Sequence, residues 1–452
     1  MRVAIIGGGA AGMMAAATIN EMNPRAEVFL LEKNDGLGKK VLISGGGRCN
    51  VTTGLEDMKE LLKKYPRGNK FLISALYHFP SQAVRNWFEE HGVPLKCEDD
   101  LRVFPVSDNG KDIVGAFEKV FANGQTKVLY KHNVTSIACH SEQREESSSP
   151  NTERARSFVA LRMTTGPGLA RDDNEKASRF VVISKDQPPL AVDVVVLALG
   201  GQAYRRTGST GDGYTLAESL GHHITTLAPS LHSFIVKEKW AKTLAGVSFV
   251  RATISADCPK PNSFTGAFLF THSGISGPAV FALSSLTAFH DFGPAKPLKL
   301  FIDFLPDTKS DALLTDLKHH IHYNLKKSFK NILHYFIPAS LAEIICGEVG
   351  IPLEKKGAEI STHELRMAAE LVKHLPLNAV GRGAGDEFVT AGGVELAEVD
   401  PRTMESKLCP GLYFAGEILN IDGFTGGFNL QASWATGRVV GEDVAKNRAK
   451  ND

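Results

Sequence analysis

The residues best suited to chemistry begin at Gly7. Gly7-Gly8-Gly9-Ala10-Ala11-Gly12 follows an apolar run at residues 2–6 and opens a run rich in Ala and Met at residues 10–22. Each glycine has a use: Gly7 permits a tight turn, Gly9 lets the backbone approach a pyrophosphate, and Gly12 lets a helix pack closely on its strand. The helix N-terminus would offer unpaired N–H groups and a partial positive charge to phosphates. Glu32 closes a second apolar run at residues 26–31, about twenty residues past Gly12, where a carboxylate can hold a ribose hydroxyl. The pattern predicts dinucleotide binding, with a mere packing turn as the alternative. It does not choose between FAD and NAD.

Residues 36–50 bear on that choice. Gly36, Gly38, Lys39 and Lys40 lead into Ser44-Gly45-Gly46-Gly47-Arg48-Cys49-Asn50. Three consecutive glycines between Ser44 and Arg48 suit a backbone pressed against a flat or anionic group. Arg48 could pair with phosphate or hold the charge of a reduced flavin; a flexible surface turn is the alternative. Cys49 has no resolving cysteine nearby in sequence, so a redox nucleophile is the lesser reading. Gly200 and Gly201 end an apolar run at residues 192–199 and continue into the glycine-rich turn 208–213, suited equally to approaching a cofactor or closing a strand crossover. Near the C-terminus stand Gly411, Gly416, Glu417, Asp422, Gly423, Gly426, Gly427, Phe428 and Asn429, followed by a helical pattern. In flavoproteins with one dinucleotide domain, a late strand of this type brings an acidic residue to the ribityl chain. The next helix N-terminus then faces the pyrimidine edge of the flavin. His272, in Thr271-His272-Ser273-Gly274, could protonate a substrate carbon or carbonyl, although a hydrogen-bonded structural histidine is the preferred reading. His319, His320 and His322 lack a carboxylate at ligand spacing, so they are read as surface residues and no metal is expected.

These residues need a scaffold. Residues 2–6, 10–22 and 26–31 read as a βαβ unit. Residues 82–91 place Val84, Trp87 and Phe88 on one helical face, and residues 112–122 repeat the pattern after Asp112 as an N-cap. Strand signals follow at 126–130, 134–139, 180–184 and 192–199. The interposed residues 141–178 are polar and biased, and read as a lengthened, mobile hairpin tip without a chemical role. From about residue 220 the segments 233–237, 247–256, 266–270 and 298–304 suggest an antiparallel sheet or barrel, and 308–349 and 362–374 read as helices. Strand signals return at 388–394 and 411–415, and residues 430–445 read as a closing helix.

The chain of 452 residues exceeds what one core usually supports, so two or three domains are expected. With 51 Lys+Arg against 50 Asp+Glu, the charge of +1 gives no reason to expect nucleic acid or anionic membrane as the main partner. No apolar run approaches the roughly 18 residues that span a bilayer. The apolar N-terminus is interrupted by three glycines, as a strand-turn-helix requires and an export signal does not, so a cytoplasmic location is expected. The six cysteines stand far apart without a CxxC pair, which argues against a disulfide scaffold and for buried thiols.

Several blocks together resemble the BaiN/RdsA (YhiN-like) family of NAD(P)/FAD-dependent oxidoreductases along nearly the whole chain. They are the Gly7 loop, residues 44–50, Arg102-Val103-Phe104-Pro105, Phe270-Thr271-His272-Ser273-Gly274-Ile275-Ser276-Gly277-Pro278, Thr390-Ala391-Gly392-Gly393-Val394 and residues 411–429. The resemblance implies an α/β fold: a two-part, Rossmann-type, glutathione-reductase-like FAD domain interrupted by a β-barrel-like and a helical insert. Its expected parts are 1–220 and 386–452 for FAD, with 221–305 as the barrel and 306–385 as the helices. It implies adenosine contacts at Gly12, Glu32, Lys33 and the backbone of Val134, and flavin contacts at residues 44–50 and around Gly416, Asp422 and Asn429. Gly7, Gly9, Ala11, Lys40, Ser44, Gly45, Gly47, Arg48, Cys49, Asn50, Gly200, Gly427 and Phe428 complete the expected cofactor set. Members often carry Asp and Tyr where Asn420 and Phe428 stand, so this chain lacks a charge and a hydroxyl at those two positions.

The activity so implied is hydride transfer through FAD, from NAD(P)H to an activated C=C bond of a small organic substrate, with Arg48, His272 and Asp422 as catalytic candidates. An FAD-dependent amine-type oxidase and an FAD-holding RNA-modification or RNA-binding protein are the alternatives.

Overall fold

The computed structural model describes residues 1–139, 178–259, 262–383 and 388–447. The chain forms two compact units, Met1–Leu227 with Thr390–Asp452, and Ala228–Val389.

In the first unit a parallel sheet carries the strands Leu412–Phe414, Val194–Leu197, Arg2–Ile6, Glu27–Glu32 and Thr126–Tyr130 in that spatial order. The central strand Arg2–Ile6 is buried from Val3 to Ile6 because the sheet is covered on both faces. Helix Ala10–Met22 is buried over most of its length and packs on helix Phe428–Asn447. Gly437 permits this approach, since a Cβ there would stand 2.4 Å from the Ala11 carbonyl oxygen. A cluster of Trp87, Phe88, Phe117 and Trp434 fills the space behind, and the Trp434 indole donates to the Val51 carbonyl at 2.9 Å.

The expected strand at 192–199 is two strands. Leu190–Val192 joins the antiparallel side sheet with Phe180–Ser184, and Val194–Leu197 enters the parallel sheet. Asp193 makes the switch: its carboxylate accepts from the Arg2 N–H at 2.8 Å. The helix expected from Asp112 begins at Gly110, capped by the Asn109 side chain, which accepts from Lys111 N–H at 3.1 Å. Asp112 lies in its first turn, where a negative charge suits the helix end. Strands Val134–Cys139 and Phe180–Ser184 are antiparallel partners, with Cys139 opposite Phe180. The polar stretch read as a hairpin tip falls almost wholly within residues 140–177, outside the described residues.

The second unit is a closed antiparallel barrel of Phe234–Val236, Gly274–Ser276, Asn262–Phe270, Ser248–Ala256, Leu298–Asp303 and Leu375–Arg382. Leu375–Arg382, between the expected helix at 362–374 and the strand signal at 388–394, was not anticipated. The alternation of buried Leu375, Leu377 and Ala379 was the available signal. The helical stretch expected at 308–349 resolves into Ser310–Tyr323, Phe329–Leu333 and Ala339–Val349. Among the described residues no helix is long and apolar enough to cross a membrane. Of the six cysteines, Cys49, Cys346 and Cys409 are buried as expected; Cys139 and Cys258 are half-buried and Cys97 is exposed.

Candidate functional site

Gly7 bends the chain out of its strand at φ +109° and donates to the Leu31 carbonyl at 2.9 Å. Gly12 meets that turn edge-on: a Cβ there would stand 2.0 Å from the Gly7 oxygen, so helix and strand touch backbone to backbone. Gly9 is different. It caps the helix N-terminus in extended backbone without a side-chain hydrogen bond, and a Cβ on it would meet no atom within 4 Å. Two of the three glycines are therefore demanded by the fold, and the third borders the kind of cradle a phosphate needs.

Glu32 is buried at the end of its strand, and three donors fix its carboxylate. Oε2 accepts from Gly8 N–H at 2.9 Å, while Oε1 accepts from the Asn34 N–H at 2.8 Å and side-chain amide at 2.7 Å. Lys33 reaches Asp212 at 2.6 Å and Thr210 at 2.7 Å, and Asn34 donates to the Thr207 carbonyl at 3.1 Å. The glycine-rich turn 208–213 is thereby tied to the corner that holds Glu32. His132 N–H donates to the Glu32 carbonyl at 3.0 Å, which brings the chain back to this corner just before the buried Val134.

Gly45, Gly46 and Gly47 all take left-handed backbone, at φ +56°, +71° and +93°, in the short helical turn Ser44–Gly47. Arg48 does not enter the site as a free cation. Its guanidinium pairs with Glu98 at 2.7 Å and Asp108 at 3.3 Å, and lies over the Phe104 ring at 3.8 Å. Cys49 is fully buried, and burial pushes its thiol up to about 12, so the redox-nucleophile reading is overturned. The Asn50 amide, oriented to satisfy its neighbours, accepts from Gly427 N–H at 2.9 Å and donates to the Thr52 carbonyl at 3.0 Å. Residues 377 positions apart in sequence thus share one corner of the unit.

The C-terminal block closes the arrangement. Gly416 N–H donates to the Thr436 hydroxyl at 3.0 Å. Glu417 pairs with Lys40 at 2.5 Å and accepts from Thr390 N–H at 2.9 Å, while the Thr390 hydroxyl accepts from Gln202 N–H at 2.8 Å. One carboxylate therefore connects the Lys40 segment, the Thr390 segment and, through Thr390, the turn after Gly200. Glu417 was read only as part of the block that could bring an acidic residue to a cofactor, and was not among the expected site residues.

Asp422 has a completely buried side chain that forms a bidentate ion pair with Arg67. Arg67 lies 355 positions away and nothing local marks it. Asn429 exchanges hydrogen bonds with Gly423 at 2.8 Å in both directions, and the Tyr65 hydroxyl donates to the Phe428 carbonyl at 2.8 Å. Asn420 Oδ1 is buried without a hydrogen-bond partner among the described residues.

His272 belongs to the barrel unit. It is exposed at the turn between Asn262–Phe270 and Gly274–Ser276, with no hydrogen bond among the described residues, so the hydrogen-bonded structural histidine is corrected. The turn is closed instead by Thr271, whose N–H donates to the Gly274 carbonyl at 2.8 Å. His319 and His322 are exposed on helix Ser310–Tyr323, and His320 stacks on Tyr335 at 4.6 Å between centroids.

Residues 1–169 and 168–443 match the HI0933-like protein Rossmann domain. The chain belongs to this family. The resemblance read from its blocks is thus confirmed, and an HI0933-like chain with this fold is an FAD-dependent oxidoreductase. It is 28% identical to a 3-dehydro-bile acid delta(4,6)-reductase of Clostridium scindens, over 98% of this chain and 99% of that protein. It is equally 28% identical to the ribosomal RNA dihydrouridine synthases of Haemophilus influenzae, over 98% of both chains, and of Escherichia coli K12, over 97% of both.

Proposed function

We propose that this HI0933-like protein reduces an activated C=C bond of a small organic substrate, with electrons from NAD(P)H passing through FAD. One observation carries the reading: blocks distant in sequence around Lys40, Gly200 and Thr390 are joined within one unit through Glu417 and Thr390, and Asn50 ties its glycine turn to Gly427. The relative named as a bile acid delta(4,6)-reductase supplies the bond type. The residues present fit the cofactor at its phosphate end, where the Gly9 backbone and uncapped helix N-terminus are suited to the pyrophosphate. Glu32 would hold the adenosine ribose with lone pairs its three donors leave over. When bound, FAD supplies hydride chemistry at the ring.

The chain's own work is positioning. The Arg67–Asp422 pair anchors the segment carrying Gly423 and Gly427, and Asn429 locks Gly423 onto the start of the last helix. Asp422 is accordingly a positioning residue and not a proton donor. Arg48 stiffens the 44–50 turn against Glu98 and Phe104. Holding a loop still at this scale matters, because small misplacement at the reacting atoms is costly.

A second reading is supported by a specific observation. Residues 317–342 carry Lys318, Lys326 and Lys327, besides Lys330, which pairs with Glu343 at 2.7 Å, and Tyr323 and Tyr335 are exposed. Local positive charge with exposed aromatics suits RNA despite the balanced net charge. Forming dihydrouridine is also reduction of a conjugated C=C bond, so the chemistry is common to both readings. Anaerobic mixing with NADPH tests the first reading: the flavin should bleach and be reoxidised by an α,β-unsaturated ketone. Bleaching by an amine alone would replace it with an oxidase. Reoxidation by an unmodified ribosomal RNA transcript, and not by the ketone, would favour RNA.

A further inference from the structure

Two cysteines separated by 270 positions meet in the first unit: the sulfurs of Cys139 and Cys409 lie 3.5 Å apart, with Cys409 donating. Cys139 ends strand Val134–Cys139, opposite Phe180. Cys409 lies in the turn that leads into strand Leu412–Phe414 of the parallel sheet. That turn is held in place. Cys409 N–H donates to the Ser406 hydroxyl at 2.8 Å, Gly411 N–H donates to Glu405 at 2.7 Å, and the Cys409 carbonyl accepts from Leu412 N–H at 3.1 Å. Ser406 is in turn held by the buried His222, at 2.9 Å. Gly411 abuts the far side of the hairpin, since a Cβ there would stand 3.2 Å from the Phe180 ring and 3.3 Å from the Arg179 side chain. Both thiols are thus presented on braced backbone, and closing to disulfide length takes a movement of about 1.5 Å.

We propose that Cys139 and Cys409 form a reversible disulfide, a redox modification site outside the flavin-binding residues. The half-buried Cys139 is the attacking sulfur and the buried Cys409 the resolving one. The Cys409 thiol donates to Cys139, and with the nearby Arg179 charge this draws the Cys139 thiol down to about 7; Cys409 is pushed up by the same contact. The oxidant class is a hydroperoxide. The Cys139 thiolate attacks the terminal peroxide oxygen, the O–O bond breaks, and a sulfenic acid forms as water or alcohol leaves. Cys409 sulfur then attacks that sulfenic sulfur, the S–O bond breaks, and the oxygen departs as water with the Cys409 proton. Two thiols are oxidised and one hydroperoxide is reduced. A dithiol reductant reverses the step. The bond would tie the end of the side-sheet hairpin to the entry of the parallel sheet's edge strand, which constrains the unfolded chain over a long loop.

The test uses the full-length protein treated with hydrogen peroxide, then alkylated and digested without reductant. The expected product is one cross-linked peptide pair joining Cys139 to Cys409, lighter by two hydrogens, with two of the six thiols lost and recovered by dithiothreitol. The oxidised protein should unfold at higher urea than the reduced one. Cys139→Ala, at the half-buried position, should abolish both effects, as should Cys409→Ser. Full alkylation of both cysteines after peroxide would overturn the proposal. So would a cross-link through the exposed Cys97, over-oxidation of Cys139 without a cross-link, or an unchanged urea midpoint once the cross-link has formed.

Discussion

Replacing Gly9 by Ala should damage cofactor binding while leaving the apoprotein intact. Gly9 sits at φ −83° and ψ −170°, backbone that any residue adopts, and its added methyl would meet no protein atom within 4 Å. A Gly-to-Ala change at compatible backbone gains about 0.4–1 kcal/mol from the unfolded chain, and poorer helix capping gives back a similar amount. The net change in apoprotein stability should therefore be under about 1 kcal/mol. The methyl would, however, occupy the approach of the pyrophosphate to the helix end. Losing one charge-assisted hydrogen bond there costs about 1.5–3 kcal/mol, which raises the FAD Kd by about 10- to 150-fold. Gly12→Ala is the contrasting variant. Its Cβ would stand 2.0 Å from the Gly7 oxygen, so backbone must separate, and the apoprotein itself should lose about 1–3 kcal/mol or more. The assay pairs the thermal midpoint of each apoprotein with an FAD titration followed by flavin fluorescence. A folded Gly9→Ala protein that binds FAD as tightly as the parent would show that no phosphate lies at Gly9, and the placement of the cofactor would fall.

Acid should loosen the barrel through His232, which is 1% exposed and held down at about 4 by burial. Because its folded pKa lies below the unfolded value, the unfolded state binds more protons, and stability present above about pH 6.5 is lost as pH falls toward about 4. Between about pH 7.5 and about pH 5 the loss should be about 2 kcal/mol, read as faster intrinsic-rate-corrected hydrogen exchange in strands Ser248–Ala256 and Asn262–Phe270. An equal acid response in His232→Gln would exclude this origin. Arg67→Ala strips the guanidinium from a buried carboxylate and should cost about 3–5 kcal/mol in urea unfolding, with part recovered by adding Asp422→Asn. A loss below about 1 kcal/mol, or no recovery, would show that the pair carries little of the loop's stability. Cys49 should resist iodoacetamide in the folded protein while Cys97 labels quickly, as followed by peptide mass spectrometry; rapid labelling of Cys49 would contradict its burial.

Local stereochemistry made part of this protein readable. The Gly7–Gly12 turn, the strand ending at Glu32, and the strands Thr126–Tyr130, Val134–Cys139 and Phe180–Ser184 each declare themselves within a few residues. Backbone sterics and apolar periodicity act over that distance, and the family blocks did the rest. Other features had no local trace. Arg67 and Asp422, Lys40 and Glu417, and Cys139 and Cys409 are each separated by more than 250 positions, and an ion pair or thiol contact leaves no pattern in the residues between. Arg48 illustrates the other failure: its type suited a phosphate, but folding delivered Glu98 and Asp108 to it first. At Asp193 one apolar run divides between strands of two sheets, and the Asp193 carboxylate meets the N–H of Arg2, a residue 191 positions away. The sequence by itself determined that a dinucleotide turn exists and which family it serves. Tertiary structure decided which charges are already paired and which backbone is left to meet a ligand, because those outcomes depend on proximity that only packing creates.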